Sequence, residues 1–266
     1  MENIRLRYFN EKENSYKSQV HYGNNSANAK IIESQGSKIY YEVNGNGKPI
    51  VILHGGIVGS IGEMGGLIDN LSSSNKIIAI ATRGHGKSEI GTVEQTYEVK
   101  AIDVKNVIEN ETNEKVKIIG FSDGAYTGLF LSAMFPDKVE KLIAIGAGTW
   151  KAKSKQFPAF EIFRSLDTKY WDEQMLIRPE PDRINQWYDS ITTYYANLEV
   201  GEKIFGKVES PTLLMAGDKD QNTPLQTVVE AYKMMKNAQL SIIPDSGHEV
   251  VSQRFQEIWP IIKKFL

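Results

Sequence analysis

Residues Gly120-Phe121-Ser122-Asp123-Gly124 stand between a β-branched apolar run, Val116 to Ile119, and an apolar-periodic segment that begins at Ala125. A chain that passes from strand to helix in so few residues must turn sharply. Small residues two before and two after the serine are what such a turn requires, because any larger side chain would clash. The serine backbone is then strained and its hydroxyl is pushed into the open. The pentapeptide therefore predicts a strand, a tight turn and a helix, with Ser122 as a candidate nucleophile. Average residue frequencies give about 0.1 chance matches to the pattern in a chain this long, so the context must decide.

Two downstream segments supply that context. Asp220 closes Gly217-Asp218-Lys219-Asp220, and His248 ends Ser246-Gly247-His248. Serine is a weak nucleophile at its free pKa and needs a base within hydrogen-bond reach, with a third group holding that base in the right tautomer. His248 and Asp220 can supply both, in the chain order serine, acid, histidine. The charge that develops on an attacked carbonyl oxygen must meet preorganised N–H donors. The N–H of Asp123, directly after the serine, is one. A second is expected from His54-Gly55-Gly56, which follows the strand-like run Ile50 to Leu53, since glycines allow close backbone approach.

Composition narrows the alternatives. Lysine plus arginine number 31 against 33 acids, a net charge of -2, so no basic face invites nucleic acid. A small neutral or weakly charged molecule with an apolar acyl part is the expected partner. The chain has no cysteine, which excludes disulfides and thiol nucleophiles. His21, His54, His85 and His248 are its four histidines and form no close cluster with carboxylates, so neither a metal nor another cofactor is expected. No stretch approaches the ~20 apolar residues of a membrane span. The first thirty residues lack the apolar centre of a signal peptide, and a cytoplasmic location is expected.

Strand-like runs follow at Ile31-Ile32, Ile39 to Val43, Ile50 to Leu53, Ile77 to Ala81, Val116 to Phe121, Val139 to Ile145, Thr212 to Ala216 and Leu240 to Ile243. The first two are placed to pair across Gly36. The later ones are short, continuously apolar and separated by helix-length segments such as Tyr97 to Ile108, Ala125 to Phe135 and Leu225 to Met235, the pattern of a mostly parallel sheet covered on both faces. In the last segment, Val250 to Leu266, Pro260 is expected to kink the helix or start a fresh one. Residues 1–29 read as a polar arm ahead of one domain at 30–266.

Residues 149–200 break the alternation. These 52 positions hold no strand-like run, yet they carry 10 of the chain's 26 aromatic residues. Ile184, Trp187, Tyr188, Ile191, Tyr195 and Leu198 recur at helical spacing, so an amphipathic helix is expected, entered through Pro181 and Asp182. A helical insertion at about 149–207 is expected to form a cap over a pocket. Trp187, Ile191 and Tyr195 share the face that would meet substrate, although aromatic stripes more often serve packing alone.

On these residues the chain resembles the α/β-hydrolase superfamily, in the branch of small esterases, enol-lactonases, carbon–carbon bond hydrolases and haloperoxidase-like enzymes. The resemblance spans about residues 30–266. It is carried by the Ser122 elbow, His54-Gly55, Arg83-Gly84-His85-Gly86-Lys87-Ser88, Phe135-Pro136-Asp137-Lys138-Val139, Gly217-Asp218-Lys219-Asp220 with Pro224, and Ser246-Gly247-His248. It implies a three-layer α/β fold, Ser122 as nucleophile, Asp220 as acid in preference to Asp218, His248 as base, and the N–H groups of Gly56 and Asp123 as the oxyanion hole. The implied activity is serine-dependent hydrolysis of a small ester, lactone or related carbonyl compound. Carbon–carbon bond hydrolysis, acyl transfer with the same residues, and a slow-turnover ligand sensor stand as alternatives.

Overall fold

The structure is a computed structural model that describes Tyr16 and residues 18–266. Among these residues eight strands form one sheet: β1 (Ala29–Ser34), β2 (Ser37–Asn44), β3 (Lys48–Leu53), β4 (Asn75–Ile80), β5 (Val116–Phe121), β6 (Val139–Ile145), β7 (Thr212–Gly217) and β8 (Ala238–Ile243). Their spatial order is β1-β2-β4-β3-β5-β6-β7-β8. The expected hairpin is present: β1 and β2 are antiparallel, and Gln35 and Gly36 both take positive φ in the turn. β2 also meets β4 antiparallel, and every later pairing is parallel.

Ten α-helices lie among the described residues. They are α1 (Gly65–Leu71), α2 (Tyr97–Glu111), α3 (Asp123–Met134), α4 (Phe160–Ser165), α5 (Thr168–Ile177), α6 (Ile184–Asn197), α7 (Glu202–Phe205), α8 (Leu225–Met234), α9 (Val250–Gln253) and α10 (Phe255–Phe265). Because successive strand side chains point to opposite faces, Val51 and Leu53 join one core cluster while Ile50 and Ile52 join the other. The first cluster lies under α2, α3, α8 and the helices between β6 and β7. The second lies under α1, α9 and α10. The result is the three-layer α/β arrangement expected from the strand and helix pattern.

Three local outcomes refine the sequence reading. The break in the last segment falls at Arg254, and Pro260 lies inside α10. Pro260 and Gln256, whose carbonyl loses its helical donor to the proline, are both exposed, so water can serve that carbonyl. Residues 1–15 and 17 of the polar arm lie outside the described residues. The rest of the arm is packed: the hydroxyls of Tyr16 and Tyr22 donate to Asp69 at 3.0 and 2.6 Å, and the N–H groups of Gly23 and Asn25 donate to Glu42, each at 2.9 Å. Between β6 and β7 the chain is helical, and an isolated antiparallel bridge between Trp150 and Val200 ties its two ends together. No helix among the described residues is long and apolar enough to cross a membrane.

β5 runs through the middle of the sheet, between β3 and β6, and α3 returns across it. The glycines of the connecting turn are needed for space. A Cβ on Gly124 would lie 2.4 Å from the carbonyl oxygen of Leu53 and 2.6 Å from that of His54. Gly124→Ala is therefore expected to lower stability in urea denaturation by about 1–3 kcal/mol, as overpacking against rigid backbone does. Gly247→Ala, whose Cβ would meet nothing within 4 Å, is expected to stay within about 0.5 kcal/mol of the parent.

Candidate active site

Ser122, Asp220, His248 and the His54–Gly56 loop all sit at the carboxyl ends of parallel strands, where open α/β sheets place their ligand sites. Ser122 follows β5 with φ 51° and ψ -112°, a left-handed conformation that costs a non-glycine residue of order 1–3 kcal/mol. Its N–H donates to the Ile145 carbonyl at 2.7 Å, and its own carbonyl accepts from the N–H of Tyr126 at 3.0 Å, which starts α3. The backbone is thereby held at both ends, and the side chain projects from the turn.

Two further loops meet it. His248, after β8, places Nε2 2.8 Å from Ser122 Oγ, and its Nδ1 is 2.7 Å from Asp220 Oδ2. The other oxygen of Asp220, Oδ1, accepts from the N–H groups of Asn222 and Thr223, both at 2.8 Å. With Oδ2 accepting, Nδ1 carries a proton, and Nε2 of a neutral ring then faces the serine as an acceptor. Asp220 is buried, whereas Asp218 is exposed and accepts from the Ser246 N–H at 3.1 Å. The structure thus joins Ser122, His248 and Asp220 in one hydrogen-bonded line and leaves Asp218 outside it.

The loop after β3 closes over the turn. A Cβ on Gly56 would lie 2.9 Å from the Asp123 Cβ and 2.9 Å from the Tyr195 hydroxyl, so Gly56 backbone approaches the start of α3 as no other residue could. His54 braces this loop: its Nε2 accepts from the Thr82 N–H at 3.0 Å, and its Nδ1 donates to the Gly55 carbonyl at 2.7 Å. Gly55 N–H is itself taken by Glu63. His85 is fully buried, which lowers its pKa well below the ordinary histidine value and keeps it neutral.

The Asp123 side chain is occupied by the protein itself. Lys100 Nζ lies 2.7 Å from Oδ2, and the Tyr195 hydroxyl donates to Oδ1. Lys100 and Asp123 are 1 % and 3 % exposed, so this is an ion pair fully removed from water beside Ser122. Burial alone would raise the Asp123 pKa, but the charge and hydrogen bond of Lys100, with the Tyr195 hydroxyl, reverse that and hold it below the usual carboxylate range. From the sequence only the N–H of Asp123 stood out, not its carboxylate. Lys100 carried a signal that was passed over: it sits three residues after Tyr97, on the stripe with Ala101, Val104 and Ile108 that α2 buries.

The three residues expected to face substrate from α6 have separate surroundings. Tyr195 reaches Asp123 and Gly56. Ile191 is completely buried in the core cluster under the insertion. Trp187, eight residues or about 12 Å from Tyr195 along the helix, packs edge-on to His85 at 5.1 Å between ring centroids and lies against Gly84 and the Arg178 guanidinium.

The model of the alpha/beta hydrolase fold family matches residues 48–195. The chain belongs to this family. Its relatives among alpha/beta hydrolases include the human serine hydrolase BPHL, 24% identical over 261 residues that cover 92% of this chain and 88% of that protein. The 2-hydroxy-6-oxo-6-(2'-aminophenyl)hexa-2,4-dienoic acid hydrolase of Metapseudomonas resinovorans is also 24% identical, over 262 residues, covering 88% and 87% of the two chains. Among solved alpha/beta hydrolase structures, the enol-lactonase from Burkholderia xenovorans LB400 superposes with a TM-score of 0.72 at 16% identity, covering 89% of this chain and 99% of that one. At that identity the likeness is one of fold.

Removing one partner of a buried pair leaves an uncompensated charge. Lys100→Met is expected to cost about 3–5 kcal/mol in chemical denaturation, and Lys100→Met with Asp123→Asn should recover much of it. The sign of the pH effect follows from the depressed Asp123 pKa. The contribution is present above the ordinary aspartate range near 4 and is lost as pH falls below it toward the folded-state value. The double variant should therefore show a shallower loss of stability between about pH 4 and pH 2 than the parent.

Proposed function

We propose that this alpha/beta hydrolase is a serine hydrolase that cleaves a small ester, lactone or related carbonyl compound through an acyl-enzyme. The observation that carries this reading is the line from Asp220 through His248 to the Ser122 hydroxyl, at 2.7 and 2.8 Å. In it the Ser122 proton passes to His248 Nε2 as Oγ attacks the carbonyl carbon. Asp220 orients the ring and stabilises the imidazolium that results. The oxyanion formed on the carbonyl is assigned to the N–H groups of Asp123, in the first turn of α3, and Gly56. Collapse expels the leaving group, which takes the proton from His248. Water then repeats the sequence against the acyl carbon and frees Ser122.

Residues 149–207 act in this reading as a cap. Tyr195 is its member at the reacting centre, since its hydroxyl meets the residue after the nucleophile. Ile191 supplies apolar wall, and Trp187 fixes the cap to the loop at Gly84. Carbon–carbon hydrolysis and acyl transfer would draw on the same serine, histidine and acid, and a panel of p-nitrophenyl esters of increasing acyl length, read as kcat/KM, separates a working esterase from a protein that binds and barely turns over.

A fluorophosphonate probe is expected to label Ser122, with labelling lost in Ser122→Ala. Labelling of another serine would overturn the assignment. On the best ester found, Asp220→Asn is expected to lower kcat by about 10⁴, the effect of leaving the base in the wrong tautomer. Asp218→Asn should change kcat little, and the reverse ranking would place the acid elsewhere.

A further inference from the structure

Beside the Ser122–His248–Asp220 line lies a cavity of about 340 Å³, walled by the first residues of the helical insertion, Thr149 to Lys155, and by the chain from Gln221 to Glu230, with Tyr126 as its floor. Its volume is that of a small-molecule site. It borders the reacting residues without containing them. Tyr126 is the first residue whose N–H bonds back to the Ser122 carbonyl, at 3.0 Å. Asn222 and Thr223 are the residues that hold Asp220, and Trp150 touches the Tyr195 ring, 5.5 Å between centroids.

Two donors in this wall are unmatched. The Lys155 ammonium rests 3.7 Å from the centroid of the Trp150 indole and has no hydrogen-bond or ion-pair partner among the described residues. The indole N–H of Trp150, a residue only 7 % exposed, is buried and also lacks an acceptor. The indole N–H is the costly one, since a buried donor without an acceptor costs about 1–3 kcal/mol, whereas Lys155 is half-buried. The nearby carboxylates are engaged. Both Asp220 oxygens are committed to His248 and the Asn222 and Thr223 N–H groups. Glu230 accepts from the Thr149 hydroxyl at 2.8 Å and from Gln226 at 3.4 Å. Burial pushes the Lys155 pKa down to about 8, and the charge of Asp220 offsets only part of that.

We propose that this cavity binds a carboxylate carried by the substrate, with the Lys155 ammonium as its charge partner, so that the enzyme acts on an ester or lactone bearing a free carboxylate away from the scissile carbonyl. Tyr126 and Trp150 line the wall beside the stem between the two functions. The inference rests on the serine-hydrolase reading above for its catalytic consequence, and on the cavity alone for binding.

The test uses two esters of one shape, mono-p-nitrophenyl adipate and the same molecule with its free carboxylate methylated. The parent enzyme is expected to prefer the free acid in kcat/KM. Lys155→Met should lower that preference about 10- to 100-fold, the loss of one charge-assisted hydrogen bond, and Lys155→Arg should keep most of it. A preference that is absent in the parent, or unchanged in Lys155→Met, overturns the proposal. If the parent turns over neither ester, the hydrolase reading has failed, and calorimetric titration of adipate into Ser122→Ala still decides the cavity. Binding that disappears with the added Lys155→Met change supports it, and binding that is absent or indifferent to Lys155 rejects it.

Discussion

The turn at Ser122 is the constraint around which the rest is arranged. Its glycines leave no free space: a Cβ on Gly120 would stand 2.3 Å from the Gly124 carbonyl oxygen, and one on Gly124 would strike the carbonyls that end β3. α3 therefore lies as close to the sheet as backbone allows, and Leu53, Gly120 and Ala144 stand side by side on β3, β5 and β6. The left-handed Ser122 backbone costs of order 1–3 kcal/mol, a sum easily outweighed by the apolar burial of α3, which runs from Ala125 to Leu131 without an exposed residue. One strained residue is the geometric cost of a hydroxyl that stands clear of the sheet where the loops after β3, β7 and β8 converge.

Charge near this point is handled by pairing inside the protein. Arg83, with no exposure, makes a bidentate contact with Asp103 on α2, its Nε and Nη2 each 2.8 Å from a carboxylate oxygen, and so pins the turn that carries His85. Three residues earlier along that helix side, Lys100 neutralises Asp123. α2 thus sends one acid and one base into the core, and each holds a loop or helix start at the site. Isolated charges there would be costly. In pairs, they fix positions that apolar packing alone would leave free to slide.

What could be read from the residues divides along physical lines. All eight strands were legible because β-branched runs bounded by turn residues have few other uses, and the meeting of Ser122, His248 and Asp220 in space was legible because such a hydrogen-bonded line can be built from so few residue types. Helix starts were less so: α3 begins two residues ahead of its apolar pattern, since Asp123 enters it on a tertiary ion pair that no local rule encodes. Pro260 starts no new helix, because an exposed proline can stay within a helix when water takes the orphaned carbonyl. On α6 the spacing showed which face is buried, but Trp187, Ile191 and Tyr195 share that face and end in different places. Helical periodicity gives a direction around the axis and says nothing of what lies along it.

The way the insertion is fastened bears on how a substrate reaches Ser122. α6 is held at one end by the Tyr195 hydroxyl on Asp123 and near the other by Trp187 and Arg178 against Gly84, where the guanidinium donates to the Gly84 carbonyl. The Tyr170 hydroxyl adds a bond to the Val58 carbonyl at 2.8 Å, on the loop after β3. Lifting the whole insertion would break all of these at once and expose the Lys100–Asp123 pair to water. The insertion's first residues are tied down as well, the Thr149 N–H donating to the Thr227 carbonyl at 3.0 Å and its hydroxyl to Glu230 at 2.8 Å.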